Sequence, residues 1–200
     1  EGLLADADVV TTNFKRGDAE KFQLTFEDFQ LINPQIIQCQ LFGFKHDERP
    51  AFDAVLQAET GFMYMNGEAD GPPTKMPVAL IDVLAAHQMK EGILLALLKK
   101  ARTGEGSYVE VSLEESAISS LVNQATNWLM NNVNPVRQGS LHPNIAPYGE
   151  TYQCKDGGWL VLAVGNNKQF GKLMETLSLQ EYVSDSRFLS NPKRVENRAA

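Results

Sequence analysis

The segment PVALIDVLAAH, residues 77–87, places one carboxylate, Asp82, in an otherwise apolar run. An unpaired charge in an apolar environment is costly, so this position requires either hydrogen-bond partners or a chemical task. A carboxylate can act as a nucleophile in catalysis. It can also cap the helix that the following residues predict, because Asp is a favoured N-cap residue. The pattern alone leaves both roles open and favours the cap.

Basic residues gather in a second segment, which follows a short β-prone run at residues 7–13. The run leads into Lys15 and Arg16, and Lys21 comes shortly afterwards. In a chain with a net charge of -7, cations at the carboxyl end of a strand indicate a site for phosphate groups. The alternative is that they are ordinary solvated charges, as most surface lysines and arginines are.

The first part of the chain predicts the scaffold for these residues. Residues 7–13 and 36–42 are typical of strands, and a helical stretch lies between them. Two strands separated by a helix favour a parallel α/β unit, in which ligands bind at the carboxyl ends of the strands. Those ends fall at residues 13–17 and 43–50.

The later elements complete one core and begin another. In order, we predict a helix at 52–65, a long helix from Asp82 to a stop at Gly104, a strand at 108–111, a helix from the Ser112/Glu115 capping box to about 129, a hairpin at 151–164 and a helix at 169–177. Residues 131–147 are rich in Asn and Pro and indicate a linker. We therefore expect residues 1–130 to belong to a large domain and residues 148–200 to begin a smaller one.

Composition limits the possible classes of protein. With 200 residues and 43% hydrophobic content, the chain can bury a core. Its negative charge argues against a general nucleic-acid or acidic-membrane surface, and no apolar run approaches the roughly 20 residues of a membrane span. Two cysteines suit a reducing compartment, which predicts a cytoplasmic protein. Because the chain begins with Glu1 and ends within a helical pattern, we expect an excerpt of a longer chain.

Common catalytic and metal-binding patterns do not occur in this sequence. The three histidines, His46, His87 and His142, lie far apart and beside neither cysteine, so we predict no metal site. No phosphate-binding loop, dinucleotide fingerprint or serine-hydrolase elbow is present. His87 comes five residues after Asp82, a spacing that places the two side chains on different helix faces.

Several motifs in order resemble the family III CoA-transferases of the CaiB/BaiF type. They are ADVVTTNFKRG, INPQIIQCQLFGF, RPAFDAVLQAETGFM, GEADGPPTKMPVALIDVLAAHQMKEGILLALL and RTGEGSYVEVSLEESAI, followed by HPNIAPYGETYQCKDGGWLVLAV and RFLSNPKRVENR. The resemblance implies an α/β protein with a Rossmann-like large domain, a smaller α+β domain and an interlocked homodimer. It also implies that segments at both ends of the family pattern lie outside this chain.

On this resemblance the family's catalytic aspartate falls on Asp82. It implies that the carboxylate attacks an acyl-CoA thioester and forms a mixed anhydride, and that the returning CoA thiolate then makes an aspartyl-CoA thioester. A carboxylic acid acceptor attacks in turn. The partners implied are therefore acyl-CoA, a carboxylic acid and a second copy of the chain, with no nucleic acid, membrane or metal.

The resemblance also implies the residues that hold coenzyme A. The family's Asn-Phe-Arg-Pro-Gly turn corresponds to residues 13–17, with Arg16 in place of proline. The residues so implied are Asn13, Phe14, Lys15 and Lys21, together with a second loop formed by Arg49, Pro50, Ala51 and Phe52. Phe52 is open to a second interpretation as a core aromatic residue.

Two other functions stay open. Racemase members of the family move an α-proton with a histidine, and the corresponding residue here is Phe52, which cannot carry a proton. This favours the transferase over an acyl-CoA racemase. The other alternative is a non-catalytic CoA-binding homologue.

Overall fold

The computed structural model describes residues 2–15 and 17–200, which form two compact units. The first comprises residues up to Met63 and Lys75–Pro135, and the second comprises Tyr64–Thr74 and Val136–Ala200. The domain division predicted from the sequence, with a linker at 131–147, stays a prediction.

Helices make up most of the regular structure. In chain order they are α1 (Gly2–Ala5), α2 (Asp18–Phe22), α3 (Phe26–Ile32), α4 (Asp53–Glu59), α5 (Phe62–Met65), α6 (Leu80–Thr103), α7 (Leu113–Ser119), α8 (Val122–Asn131), α9 (Asn167–Thr176) and α10 (Asn191–Glu196), with a 3₁₀ turn at Gln180–Val183. Strands are β1 (Val9–Thr12), β2 (Ile37–Phe42), β3 (Ser107–Ser112), β4 (Tyr148–Gln153) and β5 (Trp159–Ala163).

A parallel sheet organises the first unit. Its strand order is β1-β2-β3, with Val9 opposite Ile37 and Ile37 opposite Ser107. Helical segments connect each strand to the next, because parallel strands need a crossover. The predicted mixed α/β fold with a parallel sheet is therefore confirmed.

The long helix α6 packs against this sheet. It ends as predicted at Gly104, whose φ of 73° is left-handed and whose N–H donates to the Lys100 carbonyl at 2.8 Å. Gly92 lets the helix approach β3, since a Cβ there would lie 2.6 Å from Cγ1 of Val109. The core between helices and sheet is formed by Phe44, Leu56, Ile81, Ala85, Val111, Leu113 and Ala117.

Two predicted helices are each divided in two. The helix predicted at 52–65 becomes α4 and α5 because Gly61 adopts a φ of 87°, which interrupts the helix. The helix predicted from Ser112 becomes α7 and α8, which break at residues 120–121. Ser112 nevertheless caps α7 as expected, since its Oγ accepts from the Glu115 N–H at 3.1 Å.

The second unit contains the predicted antiparallel hairpin, in which β4 pairs with β5. Its turn is closed by the Cys154 N–H, which donates to the Gly158 carbonyl at 2.8 Å. A small core of Val164, Phe170 and Met174 supports α9. Within the described residues of both units, no helix combines the length and apolar content needed to cross a membrane.

Candidate active site

A cavity of about 590 Å³ opens at the carboxyl ends of all three parallel strands. It is lined by residues that directly follow β1, by the segment after β2 and by Leu113, which directly follows β3. The lining residues are Asn13, Phe14, Lys15, Leu41, Phe42, Gly43, Phe44, Asp47, Glu48, Arg49, Pro50, Ala51, Phe52 and Leu113. Parallel α/β sheets bind ligands at this edge, so the fold places a cavity where a ligand is expected.

The turn after β1 is held in place by the neighbouring strand. Gln40 of β2 donates its Nε2 hydrogen to the Phe14 carbonyl at 3.1 Å, and the Thr12 hydroxyl donates to Gln40 Oε1. Gln38 completes the network with a 3.2 Å bond from its Nε2 to Thr12 Oγ1. Because Gln38 and Gln40 are buried, this network fixes the backbone of Phe14 and Lys15 against the sheet.

Lys15 is the cation of this turn that lies at the cavity. Its side chain is exposed and, within the part of the chain that the structure describes, it forms no ion pair. An unpaired ammonium group can bind a phosphate without first breaking a contact within the protein. Arg16 lies outside the described residues.

The loop from Arg49 to Phe52 lies against the end of β2 because Gly43 has no side chain. A Cβ at Gly43 would lie only 2.1 Å from the Cβ of Ala51. The close approach brings Pro50 and Phe52 into the cavity wall. Phe52 is 66% exposed, so its interpretation as a core aromatic residue is wrong.

Arg49 enters the cavity wall with its charge already paired. Its two terminal nitrogens donate to the two carboxylate oxygens of Glu59 at 2.8 and 3.0 Å, and its Nε donates to Asp47. These bonds lower the pKa of Asp47 and of Glu59 and raise the pKa of Arg49. The guanidinium also lies 4.4 Å from the ring centre of Phe44. Arg49 therefore has to share or release these partners before it can bind a phosphate.

Asp82 occupies the third position of α6 and reaches solvent. The helix begins at Leu80 with Ala79 as its N-cap, so the interpretation of Asp82 as the cap is wrong. Its apolar neighbours Ile81 and Ala85 are buried. Within residues 2–15 and 17–200, the carboxylate of Asp82 forms no hydrogen bond or ion pair, which leaves both of its oxygens available for chemistry.

The pKa of Asp82 is raised above its usual value. The main cause is the surrounding protein, which removes part of the carboxylate's hydration, and the second is the negative charge of Asp53. A carboxylate with a raised pKa is more basic and a better nucleophile than an ordinary surface aspartate once it is ionised.

Sequence reasoning missed Asp53 and Gln57, which lie four residues apart on α4. Oδ1 of Asp53 accepts from the Ile81 N–H at 2.8 Å, and its Oδ2 accepts from Gln57 Nε2 at 2.7 Å. The signal available in the sequence was a carboxylate and an amide at i and i+4 in a largely apolar helix, a spacing that places both on one face.

The structure thus brings together most of the predicted binding residues but not all of them. Asn13, Phe14, Lys15, Arg49, Pro50, Ala51 and Phe52 all line the cavity. Lys21 and Asp82 are not among the described residues that line it. The ammonium of Lys21 instead lies 5.2 Å from the ring centre of Phe22. In the described residues, no group of three or more His, Cys, Asp or Glu side chains could hold a metal ion.

Comparison with known proteins gives a consistent result over the whole chain. A succinate–glutarate CoA-transferase from Agrobacterium fabrum is 36% identical over 200 residues, which cover 98% of this chain and 50% of that protein. An acetyl-CoA:oxalate CoA-transferase from Acetobacter aceti is 31% identical, with 99% of this chain and 52% of that protein covered. The chain therefore spans about half the length of the curated relatives it matches.

Solved structures support the same relationship. The crystal structure of a CaiB/BaiF family protein from Brucella suis is 41% identical to this chain and superposes with a TM-score of 0.77, covering 98% of this chain and 53% of that one. The family model for CoA-transferase family III matches residues 1–200. The chain therefore belongs to CoA-transferase family III.

Proposed function

We propose that the protein containing this chain transfers coenzyme A from an acyl-CoA thioester to a carboxylic acid through a covalent intermediate on Asp82. The observation that carries the proposal is the carboxylate of Asp82, which is exposed and unpaired within the described residues at the first turn of α6. Family membership supports the general reaction, and the geometry supports this residue as the nucleophile.

The reaction proceeds by exchange of acyl and thiol groups. An oxygen of Asp82 attacks the thioester carbonyl, the C–S bond breaks, and CoA thiolate leaves an acyl-aspartyl anhydride. The thiolate then attacks the aspartyl carbonyl, forms the aspartyl-CoA thioester and releases the first acid. The acceptor carboxylate attacks that thioester and gives a second anhydride and thiolate, and the thiolate takes the acceptor's acyl group as Asp82 is regenerated.

The cavity at the strand ends is the proposed binding site for coenzyme A. Lys15 provides an exposed positive charge for the phosphates, and Asn13, Arg49 and the loop at 50–52 provide polar and apolar contacts. Lys21 lies outside the cavity lining and contributes through longer-range attraction. In an acidic chain, the exposed charge of Lys15 at this edge of the sheet favours a polyanionic ligand.

The chemical class of the acids follows from the relatives. The names of the two curated relatives refer to succinate and glutarate in one case and to oxalate in the other. All three are dicarboxylic acids. We propose a dicarboxylic acid as the acceptor, and an interlocked homodimer in the cytoplasm as the working form.

An acyl-CoA racemase is the second candidate, and a specific residue disfavours it. Phe52 stands where racemases of the family carry a histidine, and its exposed ring borders the cavity without a titratable group. The test of the proposal is a screen of the full-length protein against CoA thioesters paired with free mono- and dicarboxylic acids. Mass spectrometry should detect new acyl-CoA products with dicarboxylic acids. No product with any pair would contradict the proposal.

A further inference from the structure

The first turn of α6 lacks a cap from its own sequence. Its N-cap residue, Ala79, has no side chain that can accept a hydrogen bond. The acceptor instead comes from another helix, since Oδ1 of Asp53 lies 2.8 Å from the backbone nitrogen of Ile81. Ile81 directly precedes Asp82, so this bond fixes the backbone that carries the proposed nucleophile.

Gln57 connects Asp53 to the segment that directly precedes α6, residues 76–79. The side chain of Gln57 is fully buried. Its Oε1 accepts from the Met76 N–H at 2.8 Å, and its Nε2 donates to Oδ2 of Asp53 at 2.7 Å and to the Val78 carbonyl at 3.3 Å. Two side chains of α4 therefore hold both the entering segment and the first turn of α6.

The start of α4 also borders the cavity. Phe52, the residue before Asp53, lines the wall, and Ala51 is held against Gly43 at the end of β2. One short stretch of chain thus contacts the proposed CoA site on one side and the backbone beside Asp82 on the other. This arrangement can fix the distance between a bound thioester and the attacking carboxylate.

We propose that Asp53 and Gln57 are positioning residues for Asp82, which hold the first turn of α6 in the orientation that its carboxylate needs for attack. This inference rests on the proposed nucleophilic role of Asp82. A helix cap alone does not call for a charged residue, because Asn and Ser cap as well as Asp. The negative charge of Asp53 also acts on Asp82 and contributes to raising the pKa of its carboxyl group.

The hydrogen-bond chain can be broken and rebuilt by exchanging its donor and acceptor. In Asp53→Asn, the new amide can still accept from Ile81, but its NH₂ group faces the NH₂ group of Gln57. In Gln57→Glu, two carboxylates face each other. In the double variant, the amide at position 53 donates to the carboxylate at position 57, which still accepts from Met76. The double variant therefore restores the connections to Ile81 and Met76 and loses only the 3.3 Å bond from position 57 to the Val78 carbonyl.

We expect each single variant to lower kcat of the full-length protein at least about tenfold, because small displacements of a reacting group reduce the rate strongly. KM for acyl-CoA should change less than about twofold. The double variant should recover kcat to within about threefold of the wild type. Amide hydrogen exchange at residues 76–82 should accelerate in each single variant and return toward the wild-type rate in the double variant.

Ser116→Ala is the matched control. The Ser116 hydroxyl is buried and donates to Oε1 of Gln88 at 3.1 Å, and Gln88 lies on α6 six residues beyond Asp82. The Ser116→Ala variant should have a lower free energy of unfolding, while its kcat stays near the wild-type value. If the single variants change exchange but not kcat, or if the double variant recovers neither, positioning by these residues is refuted. The wild-type protein is assayed in parallel for CoA bound covalently to Asp82. If that adduct forms while the variants behave as just described, positioning by Asp53 and Gln57 is refuted and the proposed function is not.

Discussion

Gly43→Ala adds one methyl group at a contact that has no room for it. The new Cβ would lie 2.1 Å from the Cβ of Ala51, whereas ordinary contact begins near 3.4 Å, so the two segments must separate by about 1.3 Å. The φ of Gly43 is not in the left-handed region, so the backbone itself accepts alanine. The effect of the substitution therefore measures the contact between the end of β2 and the cavity wall.

We expect two consequences in the full-length protein. Overpacking of this kind costs about 1–3 kcal/mol of the free energy of unfolding, which denaturant titration measures. Displacement of Pro50 and Phe52 by the same movement should weaken CoA binding by roughly tenfold, or about 1.4 kcal/mol, measured by calorimetry.

A second substitution provides the control. Ala51→Gly removes the methyl group that the new Cβ meets, so the double variant Gly43→Ala/Ala51→Gly should regain most of the stability and the CoA affinity. Ala51→Gly alone should cost about 0.8 kcal/mol for the lost methyl group, with a further loss from backbone freedom. Wild-type affinity in Gly43→Ala, or no recovery in the double variant, would refute this account of the cavity wall.

Three further predictions concern the ligand and the chemistry. Lys15→Ala should weaken CoA binding by roughly 1 kcal/mol or more and reduce the salt dependence of binding, whereas Lys21→Ala should have a smaller effect. Equal losses of CoA affinity in calorimetry would show that the cavity does not distinguish the two cations. With a 2-methylacyl-CoA in heavy water, mass spectrometry should find no catalytic deuterium incorporation at the α-carbon, and rapid incorporation would favour the racemase. Because the pKa of Asp82 is raised and its ionised form is the nucleophile, kcat/KM should fall as the pH drops through that pKa. Asp53→Asn removes a negative charge that raises this pKa, so the fall in kcat/KM should move to lower pH. A fall that moves to higher pH or stays fixed argues against the electrostatic role of Asp53.

The sheet and the long helix could be predicted because local patterns and tertiary structure agree there. Alternating or continuous apolar runs mark β1, β2 and β3, and α6 ends where Gly104 supplies a left-handed residue. The breaks at Gly61 and at residues 120–121 could not be predicted in the same way. An apolar pattern continues across both positions. Gly61 permits a left-handed backbone but does not require one, and tertiary packing decides where each helix ends.

The candidate site was predictable in part for a similar reason. Parallel strands bring their carboxyl ends to one edge, so the segments at 13–15 and 49–52 had to lie close together. The exposure of Asp82 was not predictable from its apolar neighbours, because Ile81 and Ala85 are buried while Val83 is half exposed. Likewise, the pairing of Arg49 with Glu59 depends on how the loop folds onto α4.

The central claim is that Asp82 forms a covalent bond to coenzyme A, and one trapping measurement tests it directly. The full-length wild type and Asp82→Asn are incubated with acyl-CoA, treated with hydroxylamine or borohydride, digested and analysed by mass spectrometry. Asn is a far poorer nucleophile than Asp, so the variant should fold normally yet lose turnover by a factor on the order of 10³ or more. We predict modification of the wild-type peptide that contains Asp82 and none in the variant. An unmodified wild-type peptide during active turnover, or wild-type turnover in a folded Asp82→Asn protein, would contradict the mechanism.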